Sequence, residues 1–131
     1  MVDGTLAPIR SGLRPRVAIK RAYDPARPAD GKRILVDRLW PRGLTKKAAS
    51  IDEWLRELAP SDELRRWYHQ HPRRFADFRA RYRDELLQQL PRVAALAIEV
   101  ERHRITLVFA AREPDRSNAA VLQELLLEGV R

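Results

Sequence analysis

Ile105-Thr106-Leu107-Val108-Phe109-Ala110-Ala111 is apolar through its centre, and a run of that kind is expected where both faces of a strand are covered. It belongs in the middle of a sheet. Ile34-Leu35-Val36, within a second strand predicted over residues 32–38, has the same character. Two such strands joined through helices are expected to run parallel, with right-handed crossovers. The pattern predicts a small single-domain α/β fold, a three-layer, Rossmann-like sheet, mostly parallel, with helices on both faces.

Working outward, Val17 and Ile19 alternate with polar neighbours up to Tyr23, which predicts a strand with one wet face. A loop with Pro25, Pro28 and Gly31 follows. Ser50 with Glu53 matches a capping box for a helix carrying Trp54, Leu55 and Leu58, and a short strand is the alternative there. Ser61 is a candidate N-cap for a helix with Leu64, Trp67 and Tyr68. Pro72 suits a first helical turn, ahead of Phe75, Phe78, Tyr82, Leu86 and Leu90 on one face. Pro91 is expected to end that helix, and Val93, Leu96, Ala97 and Val100 mark the next. Ser117 or Asn118 caps a closing helix whose Leu122, Leu125, Leu126 and Val130 face the core. Residues 1–15, with Gly4, Pro8, Gly12 and Pro15 and no period, read as a flexible basic arm before a domain spanning 16–131.

At 131 residues the chain suits one domain with a real core. It has no cysteine, which removes disulfides, thiolate nucleophiles and Cys-ligated zinc. A cytoplasmic setting and no membrane are the expectation, since no apolar run is long enough to span a bilayer and no signal-peptide core opens the chain. His69 and His71 lie two apart at a helix break and His103 is remote, so no metal site is expected. No dinucleotide, Walker, nucleophile-elbow or HExxH motif occurs.

Lys and Arg number 26 against 18 acids, a formal charge of +8. Much of that excess is expected on solvated helix faces, with Asp77–Arg81 and Arg81–Glu85 at i,i+4 spacing. The rest invites an anionic partner.

In an open α/β sheet, ligands bind outside the carboxyl ends of the strands. Asp37, Arg38, Trp40 and Arg42 follow one central strand, and Arg112, Arg116, Ser117 and Asn118 follow the other. Parallel strands would make the two groups face each other across a crevice. A helix N-terminus at Ser117 and Asn118 attracts phosphate or carboxylate, arginine forks grip such groups in two places, and Trp40 offers a flat stacking surface. Asp37 is a candidate base, and His69 a candidate proton carrier. The blander assignments stand beside these: Asp37 and Arg38 fixing a turn, and Trp40 plugging the core beneath the loop.

Val36-Asp37-Arg38-Leu39-Trp40-Pro41-Arg42-Gly43, Leu58-Ala59-Pro60-Ser61 with Glu63-Leu64-Arg65-Arg66-Trp67, Phe78 to Tyr82, Glu85-Leu86, Val108 to Arg112 and Asn118-Ala119 together resemble the YeaO-like branch of the DUF488 family. The resemblance runs from about Ile19 to Leu126. It implies a small cytosolic α/β domain and brings no established activity. By position it places Asp37, Arg38, Trp40, Pro41, Arg42 and Gly43 in a hallmark loop, and Ser61 and Arg65 in a second block. Ser117 departs from the resembled pattern, which tends to carry Asn there.

Three classes of function follow. The first is an enzyme or binder for a small anionic ligand, favoured by Arg38, Arg42 and Arg65. The second is a nucleic-acid binder using the basic surface, with Trp40 as a stacking platform. The third is a small protein–protein adaptor. The absence of helix-turn-helix, RRM or KH signatures counts against the second, and the clustered arginines and tryptophan exceed what adhesion alone requires.

Overall fold

The computed structural model of the chain describes residues 16–129. The arm expected over residues 1–15 and the core position expected for Val130 lie outside the described residues. The apolar run opening at Ile105 forms strand β4 (Ile105–Phe109), every residue of which is buried. It sits between β1 (Val17–Arg21) and β2 (Lys32–Leu35), and the two-residue β3 (Glu53–Trp54) adds to the far side of β2. The order is β1-β4-β2-β3 and every pairing is parallel. Ile105 is in register with Val17 on one side and Lys32 on the other, so β4 and β2 end together at the carboxyl edge.

Among the described residues five helices complete the fold: α1 (Lys46–Ala49), α2 (Asp62–Gln70), α3 (Phe75–Leu87), α4 (Leu90–Arg102) and α5 (Asn118–Glu128). The two faces of the sheet are covered unequally. Val17, Ile34, Val36, Ile105, Leu107 and Phe109 meet the apolar sides of α2 to α5, including Leu64, Phe78, Tyr82, Val93, Leu96 and Leu122, in one large core. On the other face Ala22, Leu35 and Val108 are covered by Trp40, Leu44, Ile51 and Trp54. The two indoles there pack edge to face, with ring centroids 5.5 Å apart.

That thinner face also buries an ionic cluster. Arg33, 3% exposed, donates to Asp30 and to the Ala49 and Ser50 carbonyls at the end of α1. Lys20 reaches the same Asp30 carboxylate at 3.1 Å. Buried charges survive where partners satisfy them in this way. Gly31, beside the cluster, has φ +66°, and a Cβ there would lie 2.4 Å from the Arg104 carbonyl oxygen. Only glycine passes that point without strain.

Several element boundaries differ from expectation for physical reasons. Val36 still donates to the Val108 carbonyl at 3.0 Å, but β2 ends at Leu35 because the chain turns to direct Asp37 across the sheet edge. Ser50 does not open a helix. It closes α1 in the left-handed conformation (φ +49°), and the short strand β3 follows. Pro72 lies in the turn before α3, which starts only at Phe75. Pro91 does not terminate a helix: α3 stops at Leu87, and Pro91 occupies the first turn of α4, where its missing N–H costs nothing. Leu90 accordingly opens α4. Arg81 makes neither expected ion pair; its guanidinium lies 4.2 Å from the Trp67 ring centroid, while Asp77 holds Arg74 and Glu85 holds Ser61.

Among the described residues no helix is long and apolar enough to cross a membrane, and no group of three or more His, Cys, Asp or Glu is arranged to hold a metal ion.

Candidate functional site

The loops leaving β2 and β4 meet in a cleft of about 330 Å³ at the carboxyl edge of the sheet. Asp37, Arg38, Trp40 and Arg42 line it from one side, and Arg116, Ser117 and Asn118 from the other. Arg65, on α2, lines it as well. Parallel pairing of β2 with β4 brings these distant segments together.

Asp37 is the joint between them. One carboxylate oxygen accepts from the Ala110 N–H at 2.9 Å, and the other from the Asn118 side-chain amide at 3.1 Å. The same amide donates to the Val36 carbonyl at 2.8 Å. Burial pushes the Asp37 pKa above its ordinary value, against the opposing pull of the Ala110 and Asn118 bonds.

The hallmark loop is held by donors that reach its main-chain oxygens. Trp54 Nε1 donates to Asp37 O at 2.7 Å, Trp40 Nε1 to Leu44 O at 2.7 Å, and Tyr23 Oη to Arg42 O at 2.9 Å. Trp40 therefore plugs the thinner core and lines the cleft at once. Arg38 Nε donates to Pro60 O at 3.0 Å, which ties the loop to the segment entering α2.

Ser117 is the N-cap of α5. Its hydroxyl accepts from the Ala120 N–H at 3.1 Å and donates to Pro114 O at 2.7 Å. The N–H groups of Asn118 and Ala119 have no acceptor among the described residues, so the positive end of the α5 dipole is directed at this edge.

Elsewhere Arg74 pairs with Asp77, and Arg79 and Arg83 pair with Glu124 and Glu128, while Arg56 and Arg81 lie over the Trp54 and Trp67 rings and form no ion pair among the described residues. Arg38, Arg42 and Arg116 pair with no carboxylate among the described residues.

Not every expected residue joins the group. Ser61 lines a neighbouring hollow of about 340 Å³, where its N–H and hydroxyl are both held by Glu85, and Arg38 borders both spaces. Gly43 (φ +83°), Arg112 and His69 are exposed and line neither. Tyr23, Tyr68 and Phe78 line the cleft too, a placement the sequence pattern does not predict. Tyr68 stacks on Phe78 with centroids 4.2 Å apart and donates to Arg116 O at 3.2 Å. The position of Tyr23 just past β1, a parallel strand, was the available signal; for Tyr68, helical spacing suggested core alone.

Residues 16–131 match the family model described as the inactive DUF488-N3 subclade. The chain is 42% identical over 110 residues to a protein named uncharacterized protein YeaO from Escherichia coli (strain K12), covering 84% of this chain and 96% of the relative. It is 44% identical over 111 residues to uncharacterized protein Rv3073c from Mycobacterium tuberculosis (strain ATCC 25618 / H37Rv), covering 85% and 93%. No solved structure matches. Matched from the first described strand to its last residue, the chain is a member of the YeaO-like DUF488 family.

Proposed function

We propose that this protein binds a small anionic ligand, phosphate- or carboxylate-bearing, in the cleft at the carboxyl edge of the sheet, and that it does so without turning the ligand over. The observation that carries this reading is the gathering of Arg38, Arg42 and Arg116, without carboxylate partners among the described residues, beside the start of α5. Guanidinium forks and unpaired helix N–H groups recognise the same oxyanions. Tyr23, Trp40 and Tyr68 give the cleft an aromatic wall suited to an apolar or flat ligand body.

The binding role rather than a catalytic one is supported by how fully the reactive groups are engaged. Both Asp37 oxygens already accept hydrogen bonds. The Ser117 hydroxyl both donates and accepts within its own turn, so it is a cap and not a poised nucleophile. His69 lies outside the lining. The word "inactive" in the description of the matching family model is in keeping with this reading.

The test is a panel of phosphorylated and carboxylated metabolites screened by thermal shift. A ligand that binds the folded state raises the melting temperature. Arg42→Ala and Arg116→Ala should each abolish the shift, and the ligand should be recovered unchanged. A shift that survives both substitutions places binding elsewhere.

A further inference from the structure

Arg65 lines the cleft, yet its charge is taken by an acid outside the lining. Arg65 donates through one terminal nitrogen to Asp62 at 2.7 Å, and Arg66 holds the other oxygen of the same carboxylate at 2.8 Å. The Arg65 Nε is buried with no hydrogen-bond partner, the one such side-chain nitrogen or oxygen among the described residues. A buried donor left unmatched carries a desolvation cost, and such an atom in a native structure calls for a reason.

The fork geometry supplies one. Guanidinium binds an oxyanion best along an edge, with two parallel N–H donors on two oxygens. On Asp62, Arg65 uses a terminal nitrogen alone and its Nε goes unused. The Arg65 and Asp62 side chains remain 41% and 43% exposed, so the guanidinium has room to change partner. Asp62 would not be stranded by the exchange, because Arg66 stays on it.

We infer that Asp62 is a built-in competitor for the anion of the cleft, holding Arg65 until an oxyanion enters and takes the guanidinium edge-on through Nε and a terminal nitrogen. The inference rests on the anion-binding reading above and adds its regulation. The Asp62 pKa is lowered chiefly by the Arg65 bond, then by the charges of Arg66, Arg65 and Arg38. One acid thus already interacts with two of the arginines that line the cleft.

Titration calorimetry with inorganic phosphate at fixed ionic strength tests this on the full chain. Asp62→Asn should tighten phosphate about two- to fivefold, the range set by losing a competing exposed ion pair. Glu63→Gln removes an exposed charge next door that takes no part in the Arg65 or Arg66 pairs, and should change affinity less. Arg65→Ala should weaken binding, and Asp62→Asn added to Arg65→Ala should bring no gain. Equal tightening by Asp62→Asn and Glu63→Gln, or a gain that persists without Arg65, overturns the inference while leaving the anion site intact. Phosphate binding that is absent, or indifferent to Arg42→Ala, overturns the anion site and this inference with it.

Discussion

Asp37 and Asn118 stand 81 positions apart in the chain, and the Asn118 side chain donates to the Asp37 carboxylate at 3.1 Å. That bond joins the end of β2 to the first turn of α5, and the cleft lies between the segments it joins. Replacing Asn118 with Ala removes this bond and the one to Val36 O. The expected cost is about 1–3 kcal/mol, because buried acceptors are left unmatched. Urea denaturation should show a lower midpoint with an unchanged slope.

The pH dependence of stability separates two carboxylates. Burial raises the Asp37 pKa above its ordinary 3.8. An acid that holds its proton more firmly when folded contributes stability fully below its ordinary value, and loses it as pH climbs through the raised one. For Asp30, burial is outweighed by bonds from the Arg27 N–H, Lys20 and Arg33, so its pKa is lowered from 3.8. Its contribution is present above the ordinary value and lost as pH falls through the lowered one. Unfolding free energy measured against pH should therefore fall with rising pH for wild type relative to Asp37→Asn, and fall with declining pH for wild type relative to Asp30→Asn.

Arg33 holds the thinner face together. Arg33→Ala leaves Asp30 with Lys20 and the Arg27 N–H, and strips two carbonyls at the end of α1 of their donor. The loss should reach about 3–5 kcal/mol, the range for breaking a buried pair from one side. Chemical denaturation gives the value, and hydrogen exchange should show β2 and α1 loosening first.

Gly31→Ala should cost about 1–3 kcal/mol from its left-handed backbone alone, and more from the Cβ that would meet the Arg104 carbonyl. A melting temperature indistinguishable from wild type would show that the β1–β2 connection can be rebuilt.

The centre of the sheet is legible in the sequence because continuous apolar runs have few alternatives to a covered strand, and parallel pairing of such strands puts Asp37 and Asn118 at one edge. Boundaries were less legible where a side chain acts on distant backbone. The turn of Asp37 toward Ala110 N–H has no local signature, and it shortened β2. Ser50 is equally suited to either end of a helix by composition, and its positive φ decided the matter. Helix α1, four residues long, left only the Thr45 cap as a sign. In the candidate site, Arg116 and Arg112 are equivalent by sequence and both exposed; the 3₁₀ turn at Pro114–Arg116 and the Tyr68 bond to Arg116 O bring Arg116 into the cleft lining, which Arg112 does not join.

The loop from Asp37 to Leu44 owes its shape to indole and phenol donors acting on carbonyl oxygens, which every residue type possesses. Leu39, 59% exposed, and Arg42 display their side chains from that frame without shaping it. Substitutions at these two positions can therefore change the charge and shape of the cleft rim while the backbone beneath keeps its course, so that the surface is free to diverge on an unchanged scaffold.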